Sequence, residues 1–409
     1  MTGHSPSLCG LCAFAGDTPS FWLQFRRTRF YAANLQDIRG EVCGMPTIDS
    51  DAHVVETEHT WDFIEQAHQK YRPLIVRPRG EGGGEYWFVD GKIRGLVRIV
   101  MTARQLAEVS ERTGRAMETA RETREMENVQ ARLDHMDALG IDIQVLYPTV
   151  FIEQITDKPE WEIAICKGYN RWLADIYRQG QGRLRWICVL PLLDMSASLE
   201  ELKFCKQHGA CGVFLRGIEG NRLITDPYFY PLYDEMSRLD LAGGVHVGNG
   251  NPQVIDLVSQ YNGGGSFWKF RIPVIGAFHS VLMSEVPKLF PKLRFHWAEA
   301  AAQWIPYVVK DLQRRWATQG KELPENPMKE YRQYVSCQTD DDVDYILRYS
   351  GEDNITIGTD YGHNDQSTEV EALRNLKRMG TITARQYEKI TYDNPKALFA
   401  VEDLTAKAS

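Results

Sequence analysis

A chain of 409 residues with 43% apolar and 25% charged side chains has the balance of a globular protein able to bury a large core. A formal net charge of −8, without any run of like charge, argues against a nucleic-acid surface and against a polybasic membrane patch. No stretch of about 18 apolar residues is present, so no transmembrane helix is expected.

The first 44 residues hold four arginines, no lysine and no clear periodicity. They read as an N-terminal extension, or as sequence upstream of the true start, without a catalytic role. The charged, apolar and small-residue regions of a secretory signal are missing. Eight scattered cysteines read as reduced thiols, so a cytoplasmic protein is expected. Cys9 and Cys12 have C-x-x-C spacing, but no second ligand pair follows, and the spacing reads as coincidence.

From Met45 onward, residues 45–409 alternate short apolar runs with amphipathic ones. Thr47–Asp51 is the first expected strand. Ile141–Tyr147, Leu184–Leu190, Cys211–Arg216 and Gly243–Val247 follow, then Leu293–Ala298, Tyr334–Gln338 and Ile355–Asp360. Helical patterns lie between them at Trp161–Tyr177, Met195–His208, Pro227–Leu239, Ile272–Leu289, Trp304–Trp316 and Thr368–Met379. Strands alternating with helices predict an α/β protein, a parallel sheet closed as a (β/α)8 TIM barrel. A doubly wound open sheet is the competitor, but no G-x-G-x-x-G follows the first strand. Residues 71–140 form an insertion after that strand, with a hairpin around Asp90-Gly91 and helical pattern over Thr102–Leu139. It either caps the barrel mouth, contacts another subunit, or is a solvated helix pair.

In such a barrel the C-terminal ends of the strands carry the chemistry. Strand one ends Asp51-Ala52-His53, and period-two alternation puts both side chains on one side. A carboxylate and an imidazole so placed are a compact pair of metal ligands. Strand five ends at His246, strand six is followed by Glu299, and strand eight ends at Asp360 with His363 just beyond. Together these O and N donors predict a divalent metal site. His279, early in the helix before strand six, and His363 are each candidates to orient substrate or to be structural. His296 lies further back and reads as a satisfied core histidine; Trp297 and Trp304 also read as core. Glu56 is a candidate outer hydrogen-bond partner of an imidazole. Arg216, at the end of strand four, either pairs with a substrate carboxylate or with Glu219.

The segments IDSDAHVVE, GGVHVG, LFPKLRFHWAEAAAQWIPY and ITIGTDYGHND resemble, in that order, the amidohydrolase-related family. The resemblance runs from about Pro46 to Ala400. The family includes aminocarboxymuconate semialdehyde decarboxylase and aromatic-acid decarboxylases. It implies metal ligands at Asp51, His53, His246 and Asp360, with Asp360 also a proton shuttle and Glu299 standing at the family's strand-six histidine position. Asp51 replaces the usual first histidine, which suits iron or manganese as well as zinc. Strand four offers Arg216 and no lysine, so a carbamylated lysine bridging two metals is not expected. A second metal would draw on Glu299, His279, His296 or His363.

The opening IDSDAHVVETEHTWDFI, the insertion and the carboxylate-for-histidine change are also similar to one branch of the family. That branch, the heteromeric 2-aminoisobutyrate hydroxylase-like monooxygenases, is built from two related barrel chains. The favoured expectation is therefore a subunit, resembling the larger chain, of a non-haem metal monooxygenase acting on a small amino or carboxylic acid. It would have a related barrel partner and a ferredoxin. The alternatives are a decarboxylase or hydrolase of a small or aromatic acid, and an accessory metal-binding subunit. Ligand histidines must be neutral, so activity should fall at acidic pH.

Overall fold

Eight short apolar runs pair as parallel strands in the computed structural model, which describes residues 45–77, 84–97, 101–260 and 266–402. They are β1 (Ile48–His53), β2 (Ile143–Tyr147), β3 (Leu184–Cys188), β4 (Ala210–Arg216), β5 (Ala242–His246), β6 (Phe295–Trp297), β7 (Gln333–Cys337) and β8 (Ile355–Ile357). Each pairs with the next in chain order. The seam between last and first closes just beyond β8. There the Asp360 amide donates to the Asp51 carbonyl at 2.8 Å, and the His53 amide to the Tyr361 carbonyl at 2.7 Å. This is the expected (β/α)8 barrel. The expected extension at residues 1–44, with Cys9 and Cys12, lies outside the described residues.

Nearly every strand residue is buried, because helices cover the outer face and side chains fill the interior. Part of that filling is polar. Tyr147 reaches across the barrel to His296 Nδ1 at 2.7 Å. Gly244 makes this possible, since a Cβ there would sit 2.7 Å from the Tyr147 hydroxyl.

The helices follow the predicted pattern, with two informative departures. The run expected over Ile272–Leu289 breaks into Ile272–Met283 and Val286–Leu289, with Ser284 extended and Pro287 in the first turn of the second piece. The run expected over Thr368–Met379 is helical only from Ala372. Its first residues are drawn into the barrel mouth: Thr368 donates to Asp360, and the Glu369 amide to the Thr359 carbonyl.

Between β1 and β2 the chain makes a small antiparallel sheet of Leu74–Val76, Tyr86–Val89 and Lys92–Leu96. The turn at Asp90-Gly91 has both residues at positive φ, 51° and 76°, as a two-residue hairpin requires. Helices Ala103–Thr113 and Val129–Leu139 follow, each ended by a left-handed glycine. Among the described residues no helix is long and apolar enough to cross a membrane.

Candidate metal centre

The seam between β1 and β8, together with the ends of β5 and β6, gathers six side chains. His53 Nε2 lies 3.6 Å from Asp51 Oδ1, 3.4 Å from Asp360 Oδ1, 4.0 Å from Glu299 Oε2 and 3.1 Å from His246 Nε2. His246 Nε2 is in turn 3.4 Å from Asp51 Oδ1 and 3.1 Å from Glu299 Oε2. His363 stacks on His53, ring centroids 3.8 Å apart, and places Nδ1 2.7 Å from Asp360 Oδ1. Two ligand sets overlap here, sharing His53 and Glu299. One is Asp51, His53, His246 and Glu299; the other is His53, Glu299, Asp360 and His363. Within each, the donor atoms lie within 4.8 Å of one another.

Local backbone devices produce this convergence. The β1–β2 register shifts between Asp49 and Ala52, so β1 carries a bulge where the cluster begins. The bulge separates Asp49 from Asp51. Asp49 accepts from Gln144 Nε2, which is tied to Arg132 on the helical layer, and from the Thr359 amide and hydroxyl at 2.9 and 2.5 Å. Burial pushes the Asp49 carboxyl up to about 6 despite these donors. Gly358 lets β8 approach β1, since a Cβ there would meet Asp51 Cβ at 2.3 Å. Glu299 and Asp360 both sit in the left-handed region, at φ 61° and 51°. Such residues cost about 1–3 kcal/mol and recur where a site must be aimed.

The tautomers of two imidazoles follow from their partners. His53 Nδ1 is 3.1 Å from the Pro148 carbonyl, and His246 Nδ1 is 3.0 Å from the Val247 carbonyl. A carbonyl can only accept, so both rings donate through Nδ1 and turn Nε2 into the cluster as the nitrogen able to ligate an ion. Asp51 Oδ1, Glu299 Oε2 and Asp360 Oδ1 are buried there without a hydrogen-bond partner. Burial raises Glu299, with Asp365 adding and His246 opposing. Asp360 is held well above the usual carboxylate range by burial, then by Glu299, Asp365 and Asp51. Burial, with His363 and His246, lowers His53. Burial also acts to lower His246, but Asp51 and Glu299 outweigh it and raise that ring. Unpaired carboxylate oxygens and facing lone pairs are costly in a dry site unless a cation lies among them. The donor set therefore fits a divalent metal ion with O and N ligands.

Thus Asp51, His53, His246, Glu299, Asp360 and His363 are brought together. His279 is not: it faces Asp311 at 3.1 Å on the outer helices, half-buried and apart from the cluster, which corrects its expected role in substrate orientation. Arg216 is spent on structure. Its guanidinium donates to Glu219 at 2.9 and 2.5 Å and to the carbonyls of Phe151 and Glu153 at 3.1 and 3.0 Å. The Glu219 alternative is thus the one realised, and four of the five guanidinium hydrogens are used within the protein. His296 is the expected core histidine. Glu56 does not touch His53; its carboxyl accepts the amides of Thr149 and Val150, and backbone carbonyls orient the rings instead. The sequence pattern did not single out Thr149, whose hydroxyl lies 2.9 Å from His363 Nε2, or Thr368, which holds Asp360 Oδ2 at 2.7 Å. Both are hydroxyls in irregular segments, and only their neighbourhood to predicted strand ends could have flagged them.

Two recesses lie on this face. The larger, about 400 Å³, surrounds Arg216, Glu162 and Tyr228 and contains none of the cluster residues. The smaller, about 250 Å³, also contains none of the cluster residues, but it is lined by Thr149, whose hydroxyl meets His363 Nε2 at 2.9 Å. Its walls are Trp87 and Val97 from the insertion, Ile152, and Phe270. Arg94 and Lys269 bring positive charge to it, and Glu56 and Glu153 carboxyl groups. Arg94 Nε has no partner, whereas Lys269 pairs with Glu153.

The family model described as amidohydrolase matches residues 48–401. A 2-amino-3-carboxymuconate-6-semialdehyde decarboxylase of Dictyostelium discoideum is 22% identical over 245 residues, 56% of this chain and 65% of that protein, just under two thirds of its length. An amidohydrolase structure from Mycobacterium avium subsp. paratuberculosis superposes with TM-score 0.73 at 16% identity, covering 88% of this chain and 99% of that one. A dihydroxybenzoic acid decarboxylase from Polaromonas, solved with bound manganese and an inhibitor, gives TM-score 0.57 at 17% identity, covering 87% and 97%.

Proposed function

This chain belongs to the amidohydrolase family, and from that premise we propose that it is a metal-dependent lyase removing carbon dioxide from a small or aromatic carboxylic acid. The observation that carries the reading is the joining of two features. A buried cluster has its nitrogen and oxygen lone pairs turned inward, and it adjoins a small apolar cleft with an unpartnered guanidinium nitrogen. Decarboxylases among its similar proteins support the same side. This departs from the monooxygenase favoured by the sequence segments alone.

Asp51, His53, His246 and Asp360 would hold the ion, with Glu299 alongside. When bound, the metal supplies positive charge that polarises an oxygen of the substrate. The chain's own groups do the rest. Arg94 pairs with an acidic group of the substrate, while Trp87, Phe270 and Ile152 exclude water from its apolar body. Asp360 doubles as the proton carrier: Thr368 holds Oδ2, and Oδ1 faces the cluster. As the carbon–carbon bond breaks, carbon dioxide leaves, the electron pair stays on the substrate carbon, and that carbon takes the Asp360 proton.

A second reading keeps one observation of its own. Three carboxylates in two overlapping ligand sets are oxygen-rich, and suit iron or manganese in an oxygenase working with a related barrel chain and a ferredoxin. Protein loaded with zinc, manganese or iron and given a panel of hydroxybenzoic and small unsaturated acids without oxygen separates the two. Anaerobic carbon dioxide release is the expected result. No release from any acid, with oxygen uptake once a partner chain and reductase are supplied, overturns the lyase.

A further inference from the structure

We propose that Thr149 is a positioning residue: it fixes His363 with a hydrogen on Nε2 and so presents Nδ1 to the cluster as a ligand nitrogen. The purpose of this arrangement rests on the metal-centre reading above; its geometry does not. A threonine hydroxyl has one hydrogen to give. Here it goes to the Val54 carbonyl, 2.7 Å away, because a carbonyl only accepts and Val54 is fully buried. The Thr149 oxygen can then only accept from His363 Nε2, at 2.9 Å. Nε2 therefore carries a hydrogen whatever the state of the other nitrogen. Nδ1 is the nitrogen left to share its lone pair, and it belongs to the second ligand set. It lies 2.7 Å from Asp360 Oδ1, an oxygen that has no hydrogen-bond partner.

Thr149 is itself held. Its amide donates to Glu56 Oε1 and the next amide to Glu56 Oε2, both at 3.0 Å. The His363 ring is pinned by stacking on His53, with planes 27° apart. A continuous chain thus runs from Glu56 through Thr149 to His363. It does with a side chain what the carbonyls of Pro148 and Val247 do for His53 and His246. Partners of this kind fix the ring orientation and basicity of metal-binding histidines, and their loss costs about 10- to 100-fold in metal affinity.

Nitrogen-15 spectra of the imidazoles in metal-free protein test the assignment directly. Wild type and Thr149→Ser should show the hydrogen on His363 Nε2; Thr149→Val should move it to Nδ1, toward Asp360. Chelator competition with zinc or manganese is the second readout. Thr149→Val should weaken binding about 10- to 100-fold, and Thr149→Ser by less than about 3-fold. In a His363→Ala background, Thr149→Val should cost nothing further. A wild-type hydrogen on Nδ1 overturns the proposal, as does Thr149→Val with wild-type affinity or an equal loss without His363. A wild type with the hydrogen on Nε2 that binds no metal would instead sink the metal centre and leave the Thr149 geometry standing.

Discussion

His246 and His296 lie on neighbouring strands of one barrel, are equally buried, and make opposite use of their second nitrogen. His296 is saturated. Nδ1 meets the Tyr147 hydroxyl at 2.7 Å and Nε2 the Ser336 hydroxyl at 2.7 Å, and burial pushes the ring down to about 4. It is a neutral strut inside the barrel. His246 spends Nδ1 on a carbonyl and leaves Nε2 among carboxylates that have nothing else to bind. Burial alone therefore does not mark a functional histidine. The distinguishing feature is whether both ring nitrogens are satisfied within the protein.

Removing each ring is the strongest way to break this contrast. His246→Ala or His53→Ala should weaken zinc or manganese binding by more than about 100-fold, read by chelator competition, because a ligand and not merely its support is lost. His296→Ala should leave metal affinity within about 3-fold while destabilising the fold by about 2–4 kcal/mol in urea melts, since two hydroxyls lose their partner and a cavity opens. Metal loss in His296→Ala equal to that in His246→Ala would erase the distinction.

Buried carboxyls sharpen it. Glu162 lies outside the cluster, accepts the Leu193 amide at 2.8 Å, and is pushed by burial from 4.5 to about 7. The folded state thus keeps a proton that the unfolded chain releases. The stability this confers is complete below about pH 4.5 and is lost as pH rises through about 7. Glu162→Gln cannot lose it, so its stability relative to wild type should grow across that window, by about 1.4 kcal/mol for each pH unit the window spans. An unchanged difference between about pH 5 and 8 would refute the buried-acid reading. Glu299, inside the cluster, should behave differently. Glu299→Gln removes one of three buried carboxylates that crowd one another, so metal-free protein should gain about 1 kcal/mol at about pH 8 while metal affinity falls. Loss of stability without metal would mean the charge is compensated internally. The smallest effect belongs to His279, half-exposed beside Asp311. His279→Ala should change stability by less than about 0.5 kcal/mol and leave metal affinity as it is; a drop in affinity would bring it back to the site.

The barrel was legible because its eight strands are short apolar runs separated by amphipathic ones, a pattern fixed by burial on both faces. Asp51, His53, His246 and Asp360 were legible because polar residues at the ends of such runs have few other reasons to be there. The uses of Asp49, Arg216 and Glu56 were not. Period-two alternation puts Asp49 beside Asp51, and only the bulge, invisible in the sequence, turns it to Thr359 and Gln144. Arg216 has the right place for a substrate contact, but Glu219 and two carbonyls take four of its five donors. Thr149 acts through the path of a loop, which depends on Glu56 gripping consecutive amides.

The cluster straddles the seam where the first strand meets the last, and Asp49 is tied there to Thr359, 310 positions away. Consequently the site has a birth date. During synthesis at about 5–20 residues per second, β1 must wait for nearly the whole barrel before its partners across the seam exist. Asp360 and His363 then arrive together with the closing strand. Loading with a cation thus becomes a late checkpoint on a finished barrel, and a chain truncated before Ile355 would leave the ribosome with its first ligands made and nothing to close around them.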